Sequence, residues 1–206
     1  MNLPFSFLEI LERLMPGAAF VGILVVLPPV ATDALPKFTQ LAEPVLLAGL
    51  FITLSYTLGV VFNLLSWSSQ SIDKALLNRR DSNAVEGSDQ KLEALGKAYN
   101  DVFGLPISRE SWRLCYGIAD KCGYGVRISL FSSLEIFCRS LFVGSVLLAL
   151  LYLFCVPASP FNLPLGLLFI AFAWAFAFGS RVYSRAFTAA IFEAFHTWYV
   201  VDRKSK

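Results

Sequence analysis

The sequence predicts an all-α, polytopic membrane protein with four transmembrane helices and a small helical cytoplasmic module built from helix extensions. Composition is the first observation behind this prediction, because 56% of the residues are hydrophobic and only 16% are charged, unlike an ordinary soluble domain. Charge distribution is the second, because the ranges 14–32, 44–72 and 140–180 contain no Asp, Glu, Lys or Arg. Long uncharged runs of this kind are typical of segments that lie in lipid.

The charge-free runs determine the number of predicted spans. They are 19, 29 and 41 residues long, and a helix needs about 20 apolar residues to cross the hydrocarbon core. The first two runs therefore predict one span each, at 14–35 and 44–66. The third run contains PASPFNLP at 157–164, whose three prolines end one helix and begin another. It predicts a helical hairpin with spans at 139–157 and 163–184.

Basic residues outside the spans predict the orientation, since Lys and Arg are preferentially retained in the cytoplasm. Of the 17 basic residues, ten lie between positions 67 and 139, five lie from position 181 onwards, and Arg13 precedes the first span. Both termini and the long loop are thus predicted to be cytoplasmic. A cleaved signal peptide is the rival interpretation of the N-terminus, but the two acidic residues ahead of the first apolar run give the wrong charge pattern.

An amphipathic helix is predicted ahead of the first span. Phe7, Ile10 and Leu14 recur there at helical spacing and are expected to lie on the cytoplasmic face of the membrane. The sequence MPG at 15–17 is expected to turn the chain from this helix into the span. The predicted domains are 1–66 for the N-terminal helix and the first two spans, 67–138 for a cytoplasmic helical loop, 139–184 for the last two spans, and 185–206 for a cytoplasmic helical tail.

The loop and the tail are predicted to be helical as well. Apolar periodicity predicts a helix over 89–103, ended by the sequence GLP, and a second helix over about 109–120, broken by CGYG. Glu135 and Arg139 are spaced to pair across one helical turn. The helices of the third and fourth spans are expected to continue into the cytoplasm, the fourth as far as about Val201.

Motifs for catalysis give little support to an enzyme. The sequence has no Gly-rich phosphate loop, no GxSxG, no HExxH and no acidic Ca²⁺ loop. Glu193 and His196, three residues apart on the tail, form a minimal acid–base pair and leave a membrane enzyme as one alternative. A zinc site from Cys115, Cys122 and His196 matches no common spacing. We therefore expect packed, reduced cysteines and neither cofactor nor metal.

Charge also bears on transport and on nucleic-acid binding. The net charge of +2 gives no reason to expect direct contact with nucleic acid. The apolar runs 14–32, 44–72 and 140–180 contain no Asp, Glu, Lys or Arg, so an ion or proton path through the spans is poorly supported.

A stripe of small and weakly polar residues recurs every four positions in the second span, at Ser55, Gly59 and Asn63. Such stripes let helix backbones approach closely, either within one subunit or between subunits. In an oligomer the same stripe can instead line a narrow pore. A gated membrane pore or depolarising effector is therefore an alternative function.

The tail carries the candidate interaction residues. Its apolar and aromatic side chains lie on two faces of one helix, and such a helix must be covered on two sides. The residues expected to contact a partner protein or a second subunit are Phe187, Ile191, Phe192, Phe195, His196, Trp198 and Tyr199. Arg181 and Arg185 lie one turn apart at the end of the last span and are expected to anchor to lipid phosphates.

The order of these elements resembles that of the small four-span membrane subunits of bacterial anti-phage defence operons, such as the membrane subunit of the Kiwa system. The resemblance covers the whole chain: the amphipathic N-terminal helix, MPG at the first span, the cytoplasmic loop and the helical tail. It is a likeness of architecture and transfers no residue roles. It implies an oligomeric inner-membrane subunit that binds a cytoplasmic effector protein and senses or answers phage infection at the membrane. Because the sequence also shows no catalytic motif, no ion path and an aromatic-rich tail, we expect a non-enzymatic, oligomeric inner-membrane subunit that recruits or couples a cytoplasmic partner protein in anti-phage defence.

Overall fold

The computed structural model describes residues 7–26, 44–76, 89–107, 111–155 and 161–203. Within these ranges the ordered elements are all helices, so the predicted all-α class is confirmed. Three of these helices are long and apolar enough to cross a membrane, namely Val45–Ser66, Trp112–Phe154 and Asn162–Val201. The predicted first span, 14–35, lies only partly within the described residues.

Helix α1 is continuous from Phe7 to Val26 and contains a π-helical turn, Ile10–Leu14, between its segments Phe7–Glu9 and Met15–Val26. The predicted turn of the chain at residues 15–17 is therefore wrong. Pro16 explains the wider turn, because a proline inside a helix donates no hydrogen bond and its ring clashes with the carbonyl four residues earlier. The amide of Met15 accordingly donates to the carbonyl oxygen of Ile10, five residues back.

Helix α2, Pro44–Leu76, begins where the second span was predicted and continues beyond it. Helix α3, Asp89–Phe103, has the predicted bounds. It ends at Gly104, whose φ of +67° is a conformation that favours glycine. Helix α4, Trp112–Ala119, is followed by a π-helical turn with a kink at Gly123, where φ is +85°. The predicted break at CGYG is thus a kink between two helices.

Helices α5 and α6 are the two long helices of the second half of the chain. Helix α5 covers Gly125–Leu150 and ends in a π-helical turn, Leu151–Cys155. Helix α6 covers Asn162–Trp198 and ends in another, Tyr199–Arg203. The 37 residues of α6 are about 55 Å long at 1.5 Å per residue.

The α5–α6 pair is an antiparallel hairpin. A Cβ atom built on Gly179 would lie 3.3 Å from Sγ of Cys138, and one built on Gly166 would meet the side chain of Leu153. Higher residue numbers in α5 thus lie beside lower residue numbers in α6, so the two helices run in opposite directions. The predicted helical hairpin around residues 157–164 is consistent with this register, although its turn at 156–160 lies outside the described residues.

The chain divides into two compact units. Unit 1 comprises residues 1–76 and 133–181, and unit 2 comprises residues 77–132 and 182–206. Unit 2 therefore contains the two short helices α3 and α4, the start of α5 and the end of α6.

Unit 2 has an apolar core of the kind found in water-soluble helical domains. Its buried side chains come from all four of its helical segments. They include three tail residues that were predicted to contact a partner protein or a second subunit. The buried members are Leu95, Ala98, Tyr99, Cys115, Ala119, Ile128, Ala190, Ile191, Phe192, Ala194 and Phe195. This unit is therefore held together by burial of apolar surface.

Unit 1 buries many serines beside a smaller apolar cluster of Leu148, Ala149, Tyr152 and Phe169, and exposes many large apolar side chains. Its buried serines are Ser55, Ser66, Ser133, Ser140, Ser145 and Ser180. Its exposed apolar side chains include Leu46, Phe51, Leu64, Phe154, Leu163, Trp174 and Phe178. Small residues inside and large apolar residues outside are the expected arrangement for helices that pack in lipid.

Candidate functional site

The tail residues predicted to bind a partner divide into a buried and a half-buried group. Ile191 and Phe195 have no exposed surface, and Phe192 is 5% exposed. The ring of Phe195 lies 6.2 Å from that of Tyr99 and 5.8 Å from that of Phe103, measured between centroids. Ile191, Phe192 and Phe195 therefore belong to the core of unit 2, and their assignment to a partner interface is corrected.

The remaining four tail residues keep part of their surface accessible, and three of them, Phe187, Trp198 and Tyr199, pack at the edge of that core. The ring of Trp198 lies 6.0 Å from that of Phe195, and the ring of Phe187 lies 5.6 Å from that of Trp112 in an edge-to-face contact. His196 is half-buried. A role of these four residues in partner binding stays a prediction.

The end of the tail is held against the end of α3. The hydroxyl of Tyr199 donates a hydrogen bond to Oδ2 of Asp101, at 2.6 Å. Three exposed apolar side chains lie close to these two residues in sequence: Leu105, just after α3, is 51% exposed, and Val200 and Val201, which follow Tyr199, are 46% and 59% exposed. We call Leu105, Val200 and Val201 the distal tip. Exposed apolar groups beside polar ones are a common feature of protein-binding surfaces.

Glu193 and His196, the candidate acid–base pair, are in an open environment. Oε2 of Glu193 lies 3.9 Å from Nη1 of Arg127, and these side chains are 68% and 60% exposed. Catalytic acids and bases usually depend on a desolvated cleft to adjust their proton affinity. This geometry gives the enzyme alternative no support.

The cysteine–histidine zinc alternative gains no support either. Cys115 is fully buried in the core of unit 2, and Cys122 is half-buried beside the kink at Gly123. Across the described ranges, no group of three His, Cys, Asp or Glu side chains is placed to hold a metal ion.

The Ser55–Gly59–Asn63 stripe faces helix α1 of the same chain at its first two positions. A Cβ atom built on Gly59 would lie 1.6 Å from the carbonyl oxygen of Arg13, and one built on Gly17 would lie 1.7 Å from that of Ser55. The two helix backbones therefore touch at this point, and Ser55 has no exposed surface. Asn63 is half-buried, and its carbonyl oxygen accepts a hydrogen bond from Ser66. For Ser55 and Gly59 the structure favours packing within one subunit.

Two charged residues of α1 contact the neighbouring helices, which sequence reasoning did not foresee. Nη1 of Arg13 donates to the hydroxyl of Tyr56 on α2, at 2.9 Å. The hydroxyl of Ser133 on α5 donates to Oε1 of Glu12, at 2.5 Å. The polar side of α1 is thus tied to two other helices of unit 1.

A second charged contact of unit 1 was expected. Arg139 and Glu135 form the predicted ion pair across one turn of α5, and both side chains are largely buried. The prediction of this pair is confirmed.

The candidate lipid anchors Arg181 and Arg185 are both exposed on α6. Their contact with lipid phosphates stays a prediction. Sequence reasoning missed a third exposed arginine, Arg113 on α4, whose Cζ lies 5.6 Å from the ring centroid of Trp112. The fold brings it towards α6 through the contact of Trp112 with Phe187. A contact between residues so far apart in sequence leaves no local signal.

Comparison of the chain with protein-family models, with curated proteins and with solved structures gives no match.

Proposed function

We propose that this protein is a non-enzymatic, oligomeric inner-membrane subunit that recruits a cytoplasmic partner protein. In this proposal unit 1 spans the membrane with four helices, and unit 2 is the cytoplasmic module that holds the partner. The observation that carries the proposal is the contrast between the units: most of the exposed large apolar side chains lie in unit 1, whereas the larger buried apolar cluster lies in unit 2. Such a contrast is expected when one part of a chain lies in lipid and the other in water.

The orientation in this proposal follows from the distribution of basic residues. Sixteen of the 17 Lys and Arg residues flank the spans on the side of the termini and the long loop, which supports cytoplasmic placement of both. The first predicted span, 14–35, lies only partly within the described residues, and its crossing of the membrane belongs to the proposal. Cysteine-accessibility labelling of intact cells tests it: a label at position 37 is expected to react from outside, and a label at position 201 only after permeabilisation.

The distal tip is the surface that we propose for the partner. It combines exposed Leu105, Val200 and Val201 with the polar contact between Tyr199 and Asp101. Apolar groups of this kind stabilise a complex when a partner covers them.

The test is affinity capture of the tagged protein from its own cells. The double variant Val200→Glu/Val201→Glu is expected to lose the partner, while membrane insertion and unit 2 stay intact. Thr197→Glu is the matched control, because Thr197 is exposed on the same helix one turn earlier. Retention of the partner by the double variant, or failure of the unmodified chain to capture any partner, would contradict the proposal.

Oligomerisation is proposed to use the exposed face of α6 in unit 1. This face carries Leu167, Ile170, Trp174 and Phe178, together with exposed Ala171 and Ala175. Small residues at four-residue spacing let a second helix approach closely. Mass photometry of the purified protein is expected to show more than one copy, and Ala171→Leu/Ala175→Leu is expected to reduce the copy number.

The gated pore remains the alternative function. Because Ser55 and Gly59 are covered by α1, its lining would depend on Asn63 and on residues of neighbouring copies. Conductance in planar bilayers that changes in Asn63→Leu would favour the pore. A role in anti-phage defence rests on the architectural resemblance, and phage plating on cells with and without the gene tests it.

A further inference from the structure

A carboxylate lies at the end of unit 2 that carries the distal tip. Asp101 is exposed in the last turn of α3. Its Oδ2 accepts the hydrogen bond from the hydroxyl of Tyr199, the first residue of the π-helical turn at the end of α6. This bond joins the helix end that leads to Leu105 with the turn that contains Val200 and Val201. It therefore brings the two parts of the distal tip to the same end of unit 2, near the Asp101 carboxylate.

The position of this carboxylate is fixed from two sides. The rings of Tyr99 and Phe103, on either side of it in α3, pack against Phe195 of α6, with centroids 6.2 and 5.8 Å apart. The 2.6 Å distance between the Tyr199 hydroxyl and Oδ2 of Asp101 is typical of a strong hydrogen bond to an ionised carboxylate. A side chain that is already oriented loses little conformational freedom when a ligand binds it. Asp101 is thus pre-organised to accept a further donor.

Desolvation of this carboxylate restricts what can cover the tip. Leu105, Val200 and Val201 are 51%, 46% and 59% exposed, and a partner that covers them also removes water from Asp101. An ionised carboxylate in a dry interface is costly unless it is paired and hydrogen-bonded. Because a carboxylate can accept about four hydrogen bonds, the bond from Tyr199 leaves capacity for another donor. The donors of matching charge in a protein partner are Arg and Lys.

We propose that the distal tip binds a segment of the partner protein in which apolar side chains surround a basic residue, and that Asp101 binds this basic residue. Tyr199 is then a positioning residue, because its hydroxyl orients the carboxylate. The inference rests on the proposed function, in which the distal tip holds the partner, and adds the charge that the partner must present there.

Two substitutions separate the charge of Asp101 from its place in the fold. Asp101→Asn removes the charge but keeps an oxygen that can accept the hydrogen bond from Tyr199. Glu93→Gln is the matched control, because Glu93 is also an exposed carboxylate of α3. It lies eight residues before Asp101, about 12 Å along the helix. Charges at that distance are largely screened at physiological salt, where the Debye length is about 8 Å.

The first experiment uses three capped fluorescent pentapeptides that differ only at the centre, with two leucines on each side of Arg, Gln or Glu. Fluorescence anisotropy measures their binding to the full-length protein in phosphatidylcholine nanodiscs, after subtraction of binding to empty nanodiscs. The Arg peptide is expected to bind about fivefold more tightly than the Gln peptide, the factor for a partly exposed ion pair, and the Glu peptide most weakly. This order should disappear in Asp101→Asn and persist in Glu93→Gln. Absence of binding, equal affinities in the unmodified protein, or the same order in Asp101→Asn overturns the proposal.

The substitution Tyr199→Phe tests the positioning role with the same peptides. It keeps the ring that packs at the edge of the core and removes the hydroxyl. The preference for the Arg peptide over the Gln peptide is expected to fall, while the affinity for the Gln peptide stays unchanged. Equal losses for both peptides would mean that Tyr199 acts through packing, which overturns its positioning role.

The second experiment separates this inference from the proposed function. Capture of the partner by the tagged protein is compared for the unmodified chain, Asp101→Asn, Glu93→Gln and Val200→Glu/Val201→Glu. Asp101→Asn is expected to lose most of the captured partner, and Glu93→Gln to lose little. If Asp101→Asn captures the partner as well as the unmodified chain while the double valine variant loses it, the basic contact fails and the proposed function stands.

Discussion

Units 1 and 2 are built from the same kind of helix but differ in which side chains they mostly bury. In unit 2 the buried positions are aromatic and aliphatic, such as Tyr99, Ile191 and Phe195, and charged side chains such as Glu193 are exposed. In unit 1 buried positions include Ser55, Ser133 and Gly59 beside a smaller apolar cluster around Tyr152 and Phe169, and many large apolar side chains are exposed. The difference teaches that helix periodicity alone does not identify the interior of this protein.

The physical reason is the solvent expected around each unit. In water, transfer of apolar side chains into a core stabilises the fold. In lipid that transfer gains little, and close backbone packing with interhelical hydrogen bonds replaces it. Helix α6 contributes to both units. Its residues Gly166 and Ala173 are buried in unit 1, and its residues Ile191 and Phe195 are buried in unit 2.

The largest expected effect breaks the aromatic core of unit 2. Phe195→Ala removes a fully buried ring and is expected to cost about 3–5 kcal/mol of unfolding free energy. Hydrogen exchange should become faster in α3 and α4, while exchange in unit 1 changes less. Thr197→Ala, an exposed change two residues away, is the control, and comparable exchange in the two variants would show that Phe195 is not a core residue.

The next effect tests close packing in unit 1. Gly59→Ala places a methyl group 1.6 Å from the carbonyl oxygen of Arg13, so α1 and α2 must separate, at a cost of about 1–3 kcal/mol or more. Thermal aggregation in detergent is expected at a lower temperature. Gly49→Ala is the matched control on the same helix, because nothing lies within 4 Å of its added Cβ. Similar melting of both variants would contradict the close approach.

A smaller effect is expected from the hydrogen bond that ties α1 to α5. Ser133→Ala leaves the Glu12 carboxylate without this donor, which is expected to cost about 1–3 kcal/mol. The neighbouring change Ser132→Ala is the control. A double-mutant cycle with Glu12→Gln, followed by thermal unfolding in detergent, should give a coupling energy clearly different from zero.

The smallest effect is expected at the exposed pair of unit 2. Arg127→Gln removes an ion pair of 3.9 Å whose two side chains are mostly exposed, and surface pairs of this kind contribute under about 1 kcal/mol. Its melting temperature should be nearly that of the unmodified protein. A large loss of stability would mean that Arg127 contributes to the fold through a contact other than Glu193.

Much of the helical framework could be predicted because its signals are local. Pro44 begins α2, the sequence after Phe103 ends α3, and the spacing of Glu135 and Arg139 predicts their ion pair. Each depends on residues within one or two turns.

The candidate site was less predictable because periodicity shows that a face is apolar but does not show what covers it. Ile191 and Phe195 were assigned to a partner, whereas α3 and α4 of the same chain cover them. The contact of Trp112 with Phe187 joins residues 75 positions apart, which no local pattern encodes. The inward contact of Glu12 likewise depends on the π-helical turn that contains it.

That turn at Ile10–Leu14 has a consequence for the evolution of the chain. A π-helical turn holds one more residue than an α-helical turn, so everything before it is rotated by about 100° relative to an uninterrupted helix. Deletion of one residue in this turn would restore α-helical geometry and rotate the first turn of α1 about the helix axis. In relatives without a proline at the position of Pro16, we expect the segment before it to be one residue shorter, as the trace of an ancestral insertion.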